Sequence, residues 1–571
     1  MPGPTNHSPR VHEGLTAGFV CVGLILGVLL LGGVFTGSAV AETSIAAVTA
    51  PADDTLDSDP AETAGVNTSR SYARIVELYP NPTTEGNRGE YLVVWLPSTG
   101  NWSLSDGYHT TPLPANASGT LVLSMDPNST KPLLTEAVAG AHRTQRDVHQ
   151  IDGYFPLSAA GDRIELRTRG ETVDTVAYDR VREGYRWRAE WNDWRPRGYT
   201  PRQPQHTENA VVRPFVLPDT PAEPVAPLRG AEQRLLLAGY TLESERVADI
   251  LIDAAERGVT VRVLVEGTPV GGFSTRSARL LDRLDDAGVE IGVLDDDPNR
   301  FRFHHPKYAV ADDRAVVLTE NWKPSGTGGR SNRGWGISAD SPDLADDLAS
   351  VFHTDASAHD VRSWEAFRAD TTMYERGVAN GTYPARFDPP DSTRASVELL
   401  TAPGNAADRI VDRIDAADDR VLAINPRTGA DDRIVRALRR AADRGVDVHL
   451  LLSGAWYDSE TNRALAAALA DEPIDVAVAE PRGRYGTVHA KGLIIDDTVI
   501  VGSLNWNEVA ATENREVLLA VADPSIASFF ARTYAADWRG GGVHLPVGLL
   551  GGLGAALTGA GVLARREVQF T

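Results

Sequence analysis

The sequence predicts a multidomain chain: an N-terminal β-sandwich, then two α/β repeats forming a pseudo-twofold pair, with hydrophobic segments at both termini. Three observations carry this. A segment at 489–505, HAKGLIIDDTVIVGSLN, has an earlier echo at 305–321, HPKYAVADDRAVVLTEN. Helical and strand periodicities alternate around both copies, as they do where helices cover a sheet. Ahead of them, short alternating runs are separated by Gly, Pro, Asn and Asp, the pattern of strands and turns.

With 571 residues the chain exceeds one core and should divide into about three or four domains. Its formal charge is −22, and only four residues are Lys (131, 307, 323 and 491). This acidic, Lys-poor, nearly sulfur-free composition resembles that of proteins from extreme halophiles. An acidic surface keeps a chain soluble and disfavours long-range attraction to DNA or anionic lipid, although concentrated salt screens that penalty. The single Cys21 excludes an intrachain disulfide framework and a cysteine zinc site.

Residues 1–41 read as a signal peptide or an N-terminal membrane segment. Positions 14–41 are uncharged, end in Ala39-Val40-Ala41 as at a signal-peptidase site, and are long enough to span a bilayer. Residues 42–70 are expected to be a disordered acidic linker.

Between 71 and 182, runs such as ARIVELYPNP, GEYLVVWLP and DRIELRTRG predict the β-sandwich. The order IVELYPNP, GNWSLSDG, FPLSAAGDRIEL and VDTVAY resembles the lamin-tail domain, an immunoglobulin-like fold. That resemblance implies a binding or positioning module without catalytic residues. Sequons at Asn67, Asn101, Asn116, Asn128 and Asn380 are consistent with a secreted glycoprotein.

Residues 183–228 are read as a Trp/Arg and Pro-rich linker. Trp187, Trp191 and Trp194 alternate there with Arg186, Arg188, Arg195 and Arg197. Such a strip suits stacking and phosphate contacts to a nucleic-acid strand or lipid headgroup. The favoured reading is a sandwich edge docking on its neighbour.

The first repeat is placed at 229–360, a connector at 361–395 and the second repeat at 396–540. LLLAGYTL reads as a strand, SERVADILIDAAERG as an amphipathic helix closed by Gly258, and VTVRVLVEG as a buried strand. AAERGVTVRVLV at 254–265 returns as AADRGVDVHLLL at 441–452, so one α/β unit occurs twice. Residues 541–571 are read as a C-terminal transmembrane anchor. Positions 545–564 are uncharged and followed by Arg565 and Arg566, which places the catalytic region outside the cell membrane.

Each copy of the doubled segment carries a His, a Lys two residues on and an Asp five beyond: His305, Lys307, Asp312 and His489, Lys491, Asp496. Thr319 and Asn321 follow in the first, Ser503 and Asn505 in the second. A phosphodiester needs preset cations and hydrogen-bond donors around its charge. Lys307 and Lys491 supply charge; Asn321, Asn505, Ser503 and Thr319 supply donors. His and Lys two apart on a strand share one face. Two imidazoles can divide the work near neutral pH, one attacking phosphorus to give a phosphohistidine, the other passing the proton. This scheme requires no metal and no cofactor. Asp312 and Asp496, each followed by another Asp, are expected to hold the motif's geometry.

Both repeats resemble the phospholipase D superfamily, whose signature is HxKxxxxD followed by a GSxN-like segment. The second copy matches through Gly502, Ser503 and Asn505, while the first has Leu318-Thr319 where Gly-Ser is usual. The resemblance implies metal-independent phosphodiester chemistry with His305 as nucleophile and His489 as acid/base. It also implies an acid after the GSxN segment that orients a catalytic His. The second copy has Glu516; the first offers Asn332 or Gly334, neither acidic. His305 is therefore expected to be the less firmly oriented histidine, or to use Asn332. His304, Trp322 and Trp506 are expected as pocket walls, and Ser325–Arg330 as a surface loop or mobile flap. Three functions stay open: a phospholipid phosphodiesterase or phosphatidyltransferase, an extracellular nuclease, and a cell-surface binding protein.

Overall fold

A computed structural model describes residues 72–540, apart from 85, 87, 135–146, 198–201 and 296–298. The apolar stretches at 14–41 and 545–564, the linker at 42–70 and the Asn67 sequon lie outside the described residues. Among the described residues no helix is long and apolar enough to cross a membrane.

The N-terminal region is β-rich. Six strands form one sheet in the order Asp193–Pro196, Tyr185–Arg188, Arg74–Tyr79, Tyr91–Leu96, Gly119–Ser124, Val148–Gln150. Four form a second sheet in the order Thr110–Pro112, Trp102–Ser105, Asp162–Thr168, Glu171–Tyr178. Inward residues of both, among them Ile75, Leu92, Val94, Leu104, Ile164 and Leu166, share one core.

The Trp/Arg strip belongs to this region, so the sandwich extends past 182. Tyr185–Arg188 and Asp193–Pro196 pair as a hairpin on the edge of Arg74–Tyr79. Trp187 enters the core, and the buried Glu77 draws Arg186 and Arg188 to 3.4 and 2.8 Å. The hairpin side chains also reach the repeats: the Tyr185 hydroxyl donates to Glu513 at 3.2 Å, and Arg197 stands 2.7 Å from His359 Nε2. Arg186, Trp187 and Arg197 are thus buried, while Arg188, Trp191, Trp194 and Arg195 are half-buried.

The two repeats build one continuous sheet. From its first edge the order is Val361–Ser363, Glu290–Leu294, Thr260–Glu266, Arg234–Gly239, Lys307–Ala311, Arg314–Leu318, Asn332–Asp340, Gln205–Leu217. It continues through Thr393–Ala402, Glu516–Ala522, Thr498–Gly502, Gly492–Ile495, Arg420–Asn425, Asp447–Leu452 and Asp475–Val478. The second half repeats the first in mirror order about an antiparallel seam between Gln205–Leu217 and Thr393–Ala402. A stretch read as linker thus supplies the central strand. Its prolines hid it: Pro214 sits in the strand, but past Val212, the last residue paired across the seam, where the ladder has one neighbour.

Helices follow the expected pattern. Ser244 caps Glu245–Glu256 by accepting from Val247 N–H, and Val247, Ala248, Leu251 and Ala254 bury one stripe. Gly258 then turns the chain at φ +90, as Gly445 does at φ +93 after Arg433–Asp443. On one face of the sheet, helices Pro342–Ala356 and Pro524–Gly540 cover a core common to both repeats, including Val216, Trp335, Phe352, Val501 and Phe530. On the other face each repeat has its own core. The shared core makes the pair one unit, with each motif strand separated from its own seam strand by two strands of the sheet.

Candidate active site

Each motif histidine precedes a short buried strand: Lys307–Ala311 in the first half, Gly492–Ile495 in the second. Backbone pairing then crosses between halves. His305 N–H donates to Arg515 O at 2.9 Å, and Arg515 N–H to Phe303 O at 3.0 Å. In the other half His489 N–H donates to Arg333 O at 3.0 Å, and Thr487–Val488 runs parallel to Asn332–Arg333. Each histidine is therefore clamped to the start of the other repeat's last strand.

This crossing changes the expected assignment of carboxylates. Glu516 does not orient His489; both of its oxygens lie 2.9 Å from His305 Nδ1. His489 Nδ1 instead lies 3.1 Å from Glu320 Oε1. Asn332 contacts neither histidine and donates its amide to Glu320 Oε2 at 2.8 Å, as Asn514 does to Glu516 at 3.0 Å. His305 is consequently as firmly held as His489, and is the more enclosed, with side-chain exposures of 10% and 25%. Glu320 was missed. The available signal was a charge in the strand-end position where the second copy has the buried Leu504.

The lysines turn back on their own motifs. Lys307 Nζ donates to the His305 carbonyl, and Lys491 Nζ to the His489 carbonyl at 2.7 Å. Burial drives the His305 imidazole well below its ordinary value, assisted by the charges of Lys307, Lys491 and His489, so both halves act on one site. Burial likewise brings Lys491 down to about 8 and pushes Glu516 up to about 8. Burial opposes ionisation of Glu320, yet His489, Lys491 and the Asn332 amide hold it below the usual range. Tyr240, also unforeseen, packs edge-on to the His305 ring at 4.8 Å, with Lys307 Nζ 5.2 Å from its ring centre.

The other candidate residues are placed as follows. Asp312 and Asp496 sit at positive φ, +54 and +50, on the far end of the motif strands. Each accepts from three consecutive backbone N–H groups, of Glu232, Gln233 and Arg234 in one case and Asp418, Asp419 and Arg420 in the other. Thr319 and Ser503 are buried, and their hydroxyls accept from Trp335 and Val517 N–H, both at 3.0 Å. In this arrangement both brace the next strand, and the Ser503 hydroxyl also contacts the Glu516 carboxylate. Asn321 is buried with Oδ1 lacking a hydrogen-bond partner, and Asn505 is half-buried.

Trp322 and Trp506 are core residues, and His304 is buried on a small enclosed cleft with Glu266, Phe301 and Asp360. The Trp322 indole donates to Ala238 O at 2.9 Å, Trp506 joins the second repeat's core, and His304 is enclosed 3.7 Å from Asp355. Ser325–Arg330 packs down as turns: Thr327 is buried, and Arg246 donates to its carbonyl at 2.9 Å. Among the described residues no group of three or more His, Cys, Asp or Glu is placed to hold a metal ion.

Two neutral or singly charged imidazoles, each with Nδ1 engaged by a buried carboxylate, keep Nε2 for chemistry beside two lysines whose charge burial opposes, Lys307 the more strongly. Such a set can stabilise an anionic ester while passing one proton.

Residues 225–356 and 410–538 match the family model described as "Cardiolipin synthase, PLD-like domain". Cardiolipin synthase A of Pseudomonas aeruginosa (strain LESB58) is 27% identical over 309 residues, covering 52% of this chain and 59% of the relative. Cardiolipin synthase B of Salmonella typhi is 26% identical over 313 residues, covering 51% and 71%. The chain thus spans about three-fifths of the Pseudomonas relative's length, the 59% above. Among solved structures, the phosphatidylserine synthase of Haemophilus influenzae Rd KW20 aligns with 14% identity and a TM-score of 0.44, covering 59% of this chain and 89% of that one.

Proposed function

We propose, from the premise that the chain carries a PLD-like domain twice, that it is a phosphodiesterase acting on phospholipid, by hydrolysis or by phosphatidyl transfer. The observation that supports this best is the pair of crossed histidine–carboxylate contacts, at 2.9 Å for His305–Glu516 and 3.1 Å for His489–Glu320. The printed names of the relatives, cardiolipin synthases, favour a lipid phosphodiester.

In this reading His305, kept neutral by burial, attacks phosphorus through Nε2 and forms a phosphohistidine as the bond to the leaving alcohol breaks. His489, beside an ionised Glu320, gives that alcohol its proton and then takes one from the incoming water or alcohol, which releases the phosphoryl group from His305. Lys307, Lys491, Asn321 and Asn505 hold the phosphate oxygens, and no cofactor enters the scheme. The β-rich region, in its lamin-tail-like reading, positions the repeats. The terminal apolar stretches, as signal and anchor, place them at the outer face of the cell membrane.

The Trp/Arg strip no longer favours the nuclease reading, because its hairpin is packed against Glu77, His359 and the neighbouring sheet. A binding-only protein does not need both histidines held. The test is turnover by the full-length protein at high salt without added metal, offered phosphatidylglycerol vesicles and single- and double-stranded DNA in parallel. Lipid turnover abolished by His305→Ala and by His489→Ala is expected. DNA cleavage alone would transfer the site to nucleic acid, and activity surviving both substitutions would sink the mechanism.

A further inference from the structure

The pseudo-twofold relation allows position-by-position comparison of the halves. Leu318 pairs with Gly336 in the first, and Gly502 with Leu518 in the second. Counting back along the last strands, Asn332, Arg333 and Gly334 correspond to Asn514, Arg515 and Glu516; Glu320 corresponds to Leu504. The asparagines donate to a carboxylate in both halves, and the arginines make buried ion pairs with Asp537 and Asp355 in both. Only the origin of the carboxylate differs.

In the second half it comes from the last strand. In the first that position is Gly334, and a Cβ built there would stand 2.2 Å from Glu320 Cγ and 2.7 Å from Oε1. The Glu320 side chain therefore occupies the space a residue 334 side chain would fill. Gly326 opens the other flank, since a Cβ there would lie 2.7 Å from Glu320 Oε2. Two glycines and one glutamate fit together as a set.

We infer that Glu320 is the positioning carboxylate of His489, relocated to the neighbouring strand from the seat at Gly334 that Glu516 occupies in the other half. It fixes the ring through Nδ1 so that Nε2 serves the substrate, and Leu504 is its apolar counterpart. The Gly-rich loop after Trp322 is then the cover of this carboxylate. This rests on the reading of His489 as a working acid/base.

The relocation is reversible on paper, which makes it testable. In the full-length protein, Glu320→Leu is expected to lower the steady-state kcat on bis(p-nitrophenyl) phosphate about 10²-fold, within the usual contribution of a positioned proton-transfer group. Gly334→Glu alone should be impaired, because its side chain meets Glu320. The double variant Glu320→Leu/Gly334→Glu should recover at least about tenfold over Glu320→Leu, a rescue that loss of packing does not predict. A double variant with wild-type Tm but no recovery would overturn the proposal. A second measurement needs no turnover: the His489 imidazole titration by NMR, identified by its absence in His489→Gln. The charges facing this ring are Glu320, Lys491 and Lys307. Removing the anion in the isosteric Glu320→Gln should lower the titration by about one unit, and the Gly334→Glu exchange should restore it. An unmoved titration would overturn the proposal even if the wild type turned over no phosphodiester, an outcome that by itself would fault only the proposed function.

Discussion

His305 Nδ1 lies 2.9 Å from both carboxylate oxygens of Glu516, a residue of the other repeat. Glu516 should accordingly govern formation of the phosphohistidine. Stopped-flow release of nitrophenol from bis(p-nitrophenyl) phosphate separates the steps, because this leaving group needs little protonation. Glu516→Ala is expected to slow the burst about 10²-fold. His489→Asn is expected to leave the burst and depress the steady state. An intact burst in Glu516→Ala would remove Glu516 from the first step.

Lys491 is lowered to about 8 by burial, so it is charged below that pH and loses its proton above it. The hold on an anionic ester should weaken in the same direction, with KM rising as pH passes about 8. Glu516, pushed up to about 8, titrates in the same window and is coupled to it. Lys491→Arg stays protonated throughout. Its KM should be flat across this range, and a KM rise identical to wild type would assign the alkaline limb to another group.

Asp312 and Asp496 each collect three backbone N–H groups from left-handed backbone. Ala loses the acceptors and disfavours the positive φ, at a cost of about 1–3 kcal/mol each. Asn tolerates the backbone and keeps one acceptor oxygen, so each Asn variant should melt above its Ala counterpart. The N–H groups also hold these carboxyls below their ordinary 3.8, against the effect of burial. Their stabilisation is therefore complete above about pH 4 and is lost as pH falls through the lowered folded value. Acid-melting curves of Asp496→Asn should be shallower than wild type; equal slopes would show that other carboxylates dominate.

Arg515 and Asp355 form a buried ion pair at 2.9 Å between the second repeat's last strand and the first repeat's long helix. Removing one partner strands the other, so Arg515→Ala should destabilise by about 3–5 kcal/mol. Replacing the pair together, Arg515→Met/Asp355→Leu, should cost much less. Denaturant unfolding measures both, and equal losses would deny the coupling.

The α/β repeats, their strand–helix alternation and the paired His-x-Lys segments were legible in the residues, because amphipathic periods and turn residues are local and occurred twice. Gln205–Leu217 was not, since its prolines read as a linker while the tolerance for Pro214 depends on where its pairing across the seam ends. Thr319 and Ser503 were read by residue type as donors to phosphate; their burial against the next strand is a property of packing.

By itself the sequence named two histidines and two lysines, and the aspartates that hold the motif strands. Tertiary structure alone decided their partners. Each motif pairs with the opposite repeat's last strand, so the carboxylate nearest in sequence serves the other histidine. Glu320 reaches His489 only because Gly334, an absence in the sequence, leaves it the room. Which acid reaches which imidazole is a matter of distances across a seam, and no spacing along the chain encodes those.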